Sequence, residues 1–97
     1  MIDMATHELA LVQEILRAHV PGVKIWVFGS RAKGTTRRGS DLDLAISAVP
    51  PAAKARLAEA FENAPLAYKV DIVDLATVSP EFRALIDAHK IALPGFE

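Results

Sequence analysis

The chain has 97 residues, 52% of them apolar, and a formal net charge of −1. That length and apolar content suit one packed domain over residues 1–97, and no apolar run approaches the ~20 residues needed to span a bilayer. With no cysteine, disulfides, thiolate metal sites and cysteine nucleophiles are excluded. The near-neutral charge excludes a broad nucleic-acid footprint, and so a duplex partner. The N-terminus carries acids and lacks a long apolar core, so it is no signal peptide, and the expected location is the cytoplasm.

In chain order, Thr6 is expected to cap a helix running to about Val20, with Leu9, Val12, Leu16 and His19 or Val20 on one face. Pro21-Gly22 stops it. Lys24 to Phe28 is apolar and rich in strand formers, which predicts a buried strand in which Trp26 is a core residue rather than a base-stacking one. Gly29-Ser30 ends that strand, and Ser30 opens a short helix through Lys33 that Gly34 closes. A polar loop from Thr35 to Ser40 leads into an alternating strand, Asp41 to Ser47, with Asp41, Asp43 and Ala45 on one face and Leu42, Leu44 and Ile46 on the other.

Pro50-Pro51 opens a second long helix that turns Leu57 and Phe61 inward and closes at Pro65. Ala67 to Leu75 reads as a third strand, with Val70, Ile72 and Leu75 facing one way and Asp71 and Val73 the other. Ser79-Pro80-Glu81 starts a last helix carrying Phe82, Leu85, Ile86 and His89, and Ile91 to Glu97 is left as a tail. The class is therefore α/β (α+β), with a three-stranded mixed sheet in the order α-β-α-β-α-β-α. The short link between the first two strands predicts an antiparallel pair, and the helix between the second and third predicts a parallel crossover. That arrangement brings Ser30 beside Asp41 and Asp71 beside Asp41 and Asp43. His7, His19 and His89 fall on helices away from these residues and read as packing or solvated groups.

Asp41 and Asp43 lie two apart on one strand face, their Cβ atoms roughly 6–7 Å apart at about 3.3 Å per residue. An isolated Asp-x-Asp pair is ordinary strand-end chemistry. Here a third carboxylate, Asp71, arrives from the neighbouring strand, and three such groups on one face repel unless a cation sits among them. All-oxygen donors without histidine favour magnesium over zinc. Gly29 allows close approach to backbone, and the Ser30 hydroxyl with the N–H groups after it suits phosphate oxygens, although Ser30 serves equally as a helix cap. Arg31 and Lys33 suit the neutralisation of nucleotide phosphates, and a solvated charged loop is the competing reading for at least one of Lys33, Arg37 and Arg38. Asp74 faces away from Asp71 and reads as a structural acid.

The combination Gly29-Ser30, ten residues, Asp41-x-Asp43, then Val70-Asp71-Ile72-Val73 resembles the polymerase-beta-type nucleotidyltransferase superfamily. The wording Gly-Ser-Arg-Ala-Lys-Gly…Ser-Asp-Leu-Asp-Leu is most similar to its minimal members, the MNT domains. The resemblance implies AMP transfer from ATP to a hydroxyl with two Mg2+ ions. In that scheme Gly29, Ser30, Arg31 and Lys33 bind the nucleotide. Asp41 and Asp43 hold both metals, and Asp71 ligates the ion that activates the acceptor and takes its proton. It also implies an antitoxin paired with a HEPN-domain toxin whose tyrosine is the acceptor. Apart from the resemblance, the apolar tail and the exposed faces of the first and last helices suit an interface in a homodimer or hetero-oligomer. Two other readings stay open: an antitoxin that neutralises by binding alone, and an adenylyltransferase for a small molecule such as an aminoglycoside. About twenty residues follow the third strand, so the expected acceptor site is completed by the acceptor itself.

Overall fold

A four-stranded sheet in the order β3-β2-β1-β4 organises the chain, seen in a computed structural model that describes residues 2–35 and 39–97. Arg37 and Arg38 lie outside the described residues. The elements are α1 (Thr6–His19), β1 (Ile25–Phe28), α2 (Ser30–Lys33), β2 (Leu42–Ile46), α3 (Pro51–Glu62), β3 (Val70–Asp74), α4 (Pro80–His89) and β4 (Ile91–Ala92). β1 and β2 are antiparallel, with Phe28 opposite Asp43. β2 and β3 are parallel, with Asp43 opposite Asp71. Both pairings follow from connection length: the dozen residues after β1 can only reverse, while α3 supplies the crossover that a parallel pair requires.

The two sheet faces carry different cores. Ile25, Val27, Leu42, Leu44 and Ile46 point to one side and pack with Val12 and Leu16 of α1 and Leu57 and Phe61 of α3, all buried. The other face holds Ala45, Leu75 and Ile86, with Trp26, Phe28 and Val73 half-buried against them. Asp43 and Asp71 share this second face. It is therefore not a solvent face: α4 covers one end of it, and the carboxylates stand at the other. Trp26 belongs to the smaller core, and the Lys90 ammonium sits 4.6 Å from its ring centre.

Several local expectations are corrected. Thr6 is the first helical residue rather than the cap; Ala5 precedes it in extended conformation and its N–H donates to the Glu8 carboxylate at 3.3 Å. Strand β2 begins at Leu42, so Asp41 is an exposed residue just outside the ladder. Leu75 lies beyond the end of β3 and packs on the same side as Val73, opposite to Val70 and Ile72. On α4 only Ile86 is buried, and Leu85 is 69% exposed. Ser79 does cap α4 as expected, its hydroxyl oxygen accepting from Phe82 N–H at 3.2 Å.

The largest correction is the tail. Ile91–Ala92 forms β4, antiparallel to β1, with Trp26 opposite Ala92 and Val27 opposite Ile91. The three-stranded sheet becomes four-stranded because the residues after α4 turn back along the β1 edge. Leu93 and Phe96 then enter the main core, the Leu93 N–H donates to Ile25 O at 2.9 Å, and the Ile25 N–H donates to Phe96 O at 3.1 Å. This tail is used inside the molecule and does not form the free apolar interface that its composition suggested. Leu93→Ala is expected to cost ~2–5 kcal/mol in urea unfolding, as a fully buried leucine does. Leu85→Ala should stay within about 0.5 kcal/mol.

Candidate active site

Three backbone features converge on Asp43. Phe28 lies directly opposite it on β1, Asp71 lies directly opposite it on β3, and Gly29 follows Phe28. Gly29 has φ 72 and ψ −154, a conformation essentially reserved for glycine. A Cβ at Gly29 would overlap the Asp43 carboxylate oxygen and lie 3.2 Å from its Cγ. The glycine is therefore required twice, for its backbone angles and for the space that the aspartate fills. The turn touches the carboxylate at close range, which links the Gly-Ser element and the Asp-x-Asp element physically.

After Gly29 the chain makes one helical turn, in which Ala32 and Lys33 N–H groups both donate to Gly29 O at 3.1 Å. Those two amides are thus committed to the turn itself, and the phosphate-binding capacity expected of this segment is narrower than its full set of N–H groups. Gly34 closes the turn in the left-handed conformation, with φ 76 and ψ 17. Lys33, the last residue of that turn, is exposed.

The electrostatics show that the carboxylates are neighbours. The Asp43 carboxyl is pushed above its ordinary value, first by burial, then by the charge of Asp71, then by that of Asp41. Among the described residues, however, no three acidic or histidine side chains are drawn together tightly enough to cage a metal ion. Like charges held by adjacent strands keep apart when nothing positive lies between them. The donor set nevertheless fits a hard divalent cation: oxygen ligands only, Asp43 and Asp71 side by side on one face, and a mutual repulsion that a cation would reverse. Asp41, Asp43 and Asp71 are the carboxylates that could hold such an ion. Asp74 is not among them. It is buried, and its carboxylate accepts from Ala76 N–H at 2.8 Å and Val49 N–H at 3.4 Å.

Arg31 departs from the expected phosphate ligand. It is 6% exposed, and its guanidinium donates to Asp3 O at 2.8 Å and to Ser40 O at 2.8 and 3.2 Å. Its guanidinium carbon lies 3.9 Å from the centre of the Tyr68 ring. Arg31 thereby ties the N-terminal segment, the residue before Asp41 and the approach to Asp71 into one unit. The planar fork suits this work because it can serve two carbonyls and an aromatic face at once. Tyr68 is held by the same contact. Its phenol is pushed up to about 12, chiefly by burial and then by the nearby Glu8 charge, against the lowering effect of Arg31. Glu8 lies close, yet among the described residues the hydroxyl meets no partner at full hydrogen-bond geometry. Arg31→Met should lower stability by about 2–4 kcal/mol, since two carbonyls lose their donor; thermal or urea unfolding measures it. Neither role was visible in the sequence, where Arg31 sits in a basic run and Tyr68 is simply a strand-flanking aromatic.

Known proteins resemble this chain in both sequence and fold. Residues 11–94 match the family model described as polymerase beta, nucleotidyltransferase. The chain is 46% identical over 88 residues to the Haemophilus influenzae protein named "Probable protein adenylyltransferase MntA", covering 88% of this chain and 77% of that one. It superposes with a TM-score of 0.73, at 28% identity and over 94% of its length and 74% of the other chain, on a toxin–antitoxin crystal structure containing AMP-PNP. It is likewise similar, with a TM-score of 0.70 and 25% identity over 95% of this chain and 73% of the other, to a structure of the tri-AMPylated Shewanella oneidensis HEPN toxin in complex with MNT antitoxin. The glycine turn on Asp43, the facing Asp71 and the match over residues 11–94 lead to one assignment: the chain belongs to the polymerase beta nucleotidyltransferase family.

Proposed function

We propose that this protein is a magnesium-dependent protein adenylyltransferase that moves AMP from ATP to a tyrosine hydroxyl of a HEPN-type toxin, acting as a cytoplasmic antitoxin. The observation that carries the reading is the closure of the Gly29 turn onto Asp43, with Asp71 on the same face in the next strand. A phosphate-binding turn and paired carboxylates in direct contact form the donor half of a nucleotidyl transfer site.

In this reading Ser30 and the exposed Lys33 hold the β and γ phosphates, while Arg31 fixes the frame that presents them. Asp41, Asp43 and Asp71 hold magnesium, which when bound supplies charge neutralisation and orientation for the attacking and leaving oxygens. The acceptor oxygen attacks the α-phosphorus, the bond to the β-phosphate bridging oxygen breaks, and pyrophosphate leaves with that electron pair. The acceptor proton passes to the Asp71 carboxylate, which is exposed and adjacent to Asp43.

The test is direct. The purified chain is incubated with Mg2+, α-labelled ATP and the HEPN-type toxin, and the label is followed to the toxin and mapped by peptide. Label on a toxin tyrosine, abolished by chelation, is the expected result. An unlabelled toxin, with a folded chain that still binds AMP-PNP, overturns the proposal.

A further inference from the structure

The sheet order places the two halves of the reaction on opposite sides of Asp43. The Gly29–Ser30 turn lies toward β1 and Asp71 lies toward β3. A nucleotide held by that turn approaches from β1, so the acceptor approaches from β3. That strand is terminal in the sheet. Leu42 N–H donates to Lys69 O at 2.9 Å and Leu75 N–H donates to Ile46 O at 2.9 Å, so Lys69 and Leu75 turn their backbone groups toward β2. Backbone polar groups alternate sides along a strand. Those of Val70 and Ile72 therefore point outward, along an edge that no further strand among the described residues covers.

Beside this edge, between the end of α3 and the start of β3, lies a groove of about 370 Å³. Its walls include Ala58, Phe61, Leu66, Tyr68, Val70 and Asp71. Ala58 and Phe61 of α3 give the groove an apolar patch beside the charged Glu62 and Lys69, and the groove reaches Asp71. Edge strands that keep their hydrogen-bonding groups exposed are templates for a further strand, with alternate side chains directed to opposite faces.

We propose that the acceptor is presented as an extended segment that adds to the open edge of β3, its hydroxyl-bearing side chain on the Asp71 face and an adjacent apolar side chain in the groove. The proposal rests on the protein adenylyltransferase reading and specifies how that acceptor is recognised. Pairing with Val70 and Ile72 sets the register, so the hydroxyl arrives level with Asp71. Strand alternation then directs its immediate neighbours to the groove side. The acceptor signature is a hydroxyl residue with a bulky apolar residue next to it.

Two variants test this in the full chain with the HEPN-type toxin as acceptor. Ala58→Trp fills the groove from an exposed helical position. Val70→Pro removes an outward N–H at the first residue of the strand, where proline leaves the β2–β3 ladder intact. Leu85→Trp, on the exposed face of α4, serves as the comparison. Ala58→Trp and Val70→Pro are expected to raise the KM for the toxin at least tenfold, with AMP-PNP affinity within twofold of wild type and Leu85→Trp unchanged. Ala58→Trp decides the matter if Val70→Pro impairs AMP-PNP binding. An unchanged toxin KM in Ala58→Trp, or a rise confined to Leu85→Trp, overturns the proposal. Failure of the wild type to label the toxin is a separate result, seen before any variant is made, and it overturns the adenylyltransferase reading and this proposal with it.

Discussion

Asp43→Asn is expected to reduce AMP transfer by roughly 10³-fold or more, ~4 kcal/mol of barrier, while leaving the protein at least as stable as wild type. The two effects have one origin. Asp43 stands between the Gly29 turn and Asp71, and its carboxyl is pushed up by burial first and by Asp71 and Asp41 next. A carboxyl raised in the folded state binds its proton more tightly there than in the unfolded chain. The stability this contributes is present at acid pH and is lost as pH rises above the ordinary aspartate range and through the raised folded value. Asparagine carries no such charge. In metal-free buffer the variant should therefore match wild type near pH 4 and equal or exceed it near pH 7, measured by urea unfolding. The transfer assay should show the opposite ranking, because asparagine is a poorer ligand for a divalent cation than a carboxylate. Full neutralisation of the toxin by Asp43→Asn would show that binding alone suffices. Asp74→Ala supplies the contrast: it removes an acceptor for the Ala76 and Val49 amides, so it should cost about 1–3 kcal/mol of stability and leave kcat close to wild type.

These contrasting aspartates show what the sequence makes legible. Strand alternation is local, so the opposite facing of Asp71 and Asp74 can be read from their odd separation, and the structure places Asp74 in a buried backbone cap. The antiparallel and parallel pairings follow from connection lengths in the same way. Arg31 is different. Its burial depends on Asp3 O, Ser40 O and the Tyr68 ring, three partners from distant parts of the chain. In sequence it has the same character as Lys33, which stays exposed. The tail is hidden for another reason. A two-residue strand has too few residues to show a period, and β4 exists only because the edge of β1 is there to receive it. The buried Leu93 and Phe96 after it are ordinary apolar residues until that edge fixes them. Elements defined by their own periodicity were readable, and those defined by a partner surface were not.

The same distinction gives the second large effect, at a residue whose type is readable and whose reason is not. Gly29→Ala is expected to cost about 2–6 kcal/mol, summing ~1–3 for a backbone conformation that alanine rarely adopts and ~1–3 for overpacking. The overpacking falls on one group, because the new methyl would overlap the Asp43 carboxylate oxygen and approach Cγ at 3.2 Å. Contact with Asp43 Cβ, at 3.5 Å, is ordinary van der Waals packing. The two contributions can therefore be separated. In an Asp43→Ala background the overlap disappears and only the backbone strain remains, so the double variant should be more stable than the sum of the single changes predicts. A coupling of about 1–3 kcal/mol is expected from the urea midpoints of the four proteins. Additivity within about 0.5 kcal/mol would mean that the turn and the carboxylate do not touch. Gly34→Ala calibrates the backbone part. Gly34 has φ 76 with nothing within 4 Å of the new methyl, so it should lose only about 1 kcal/mol. The excess at Gly29 over Gly34 then measures how tightly the turn is built around the Asp43 carboxylate.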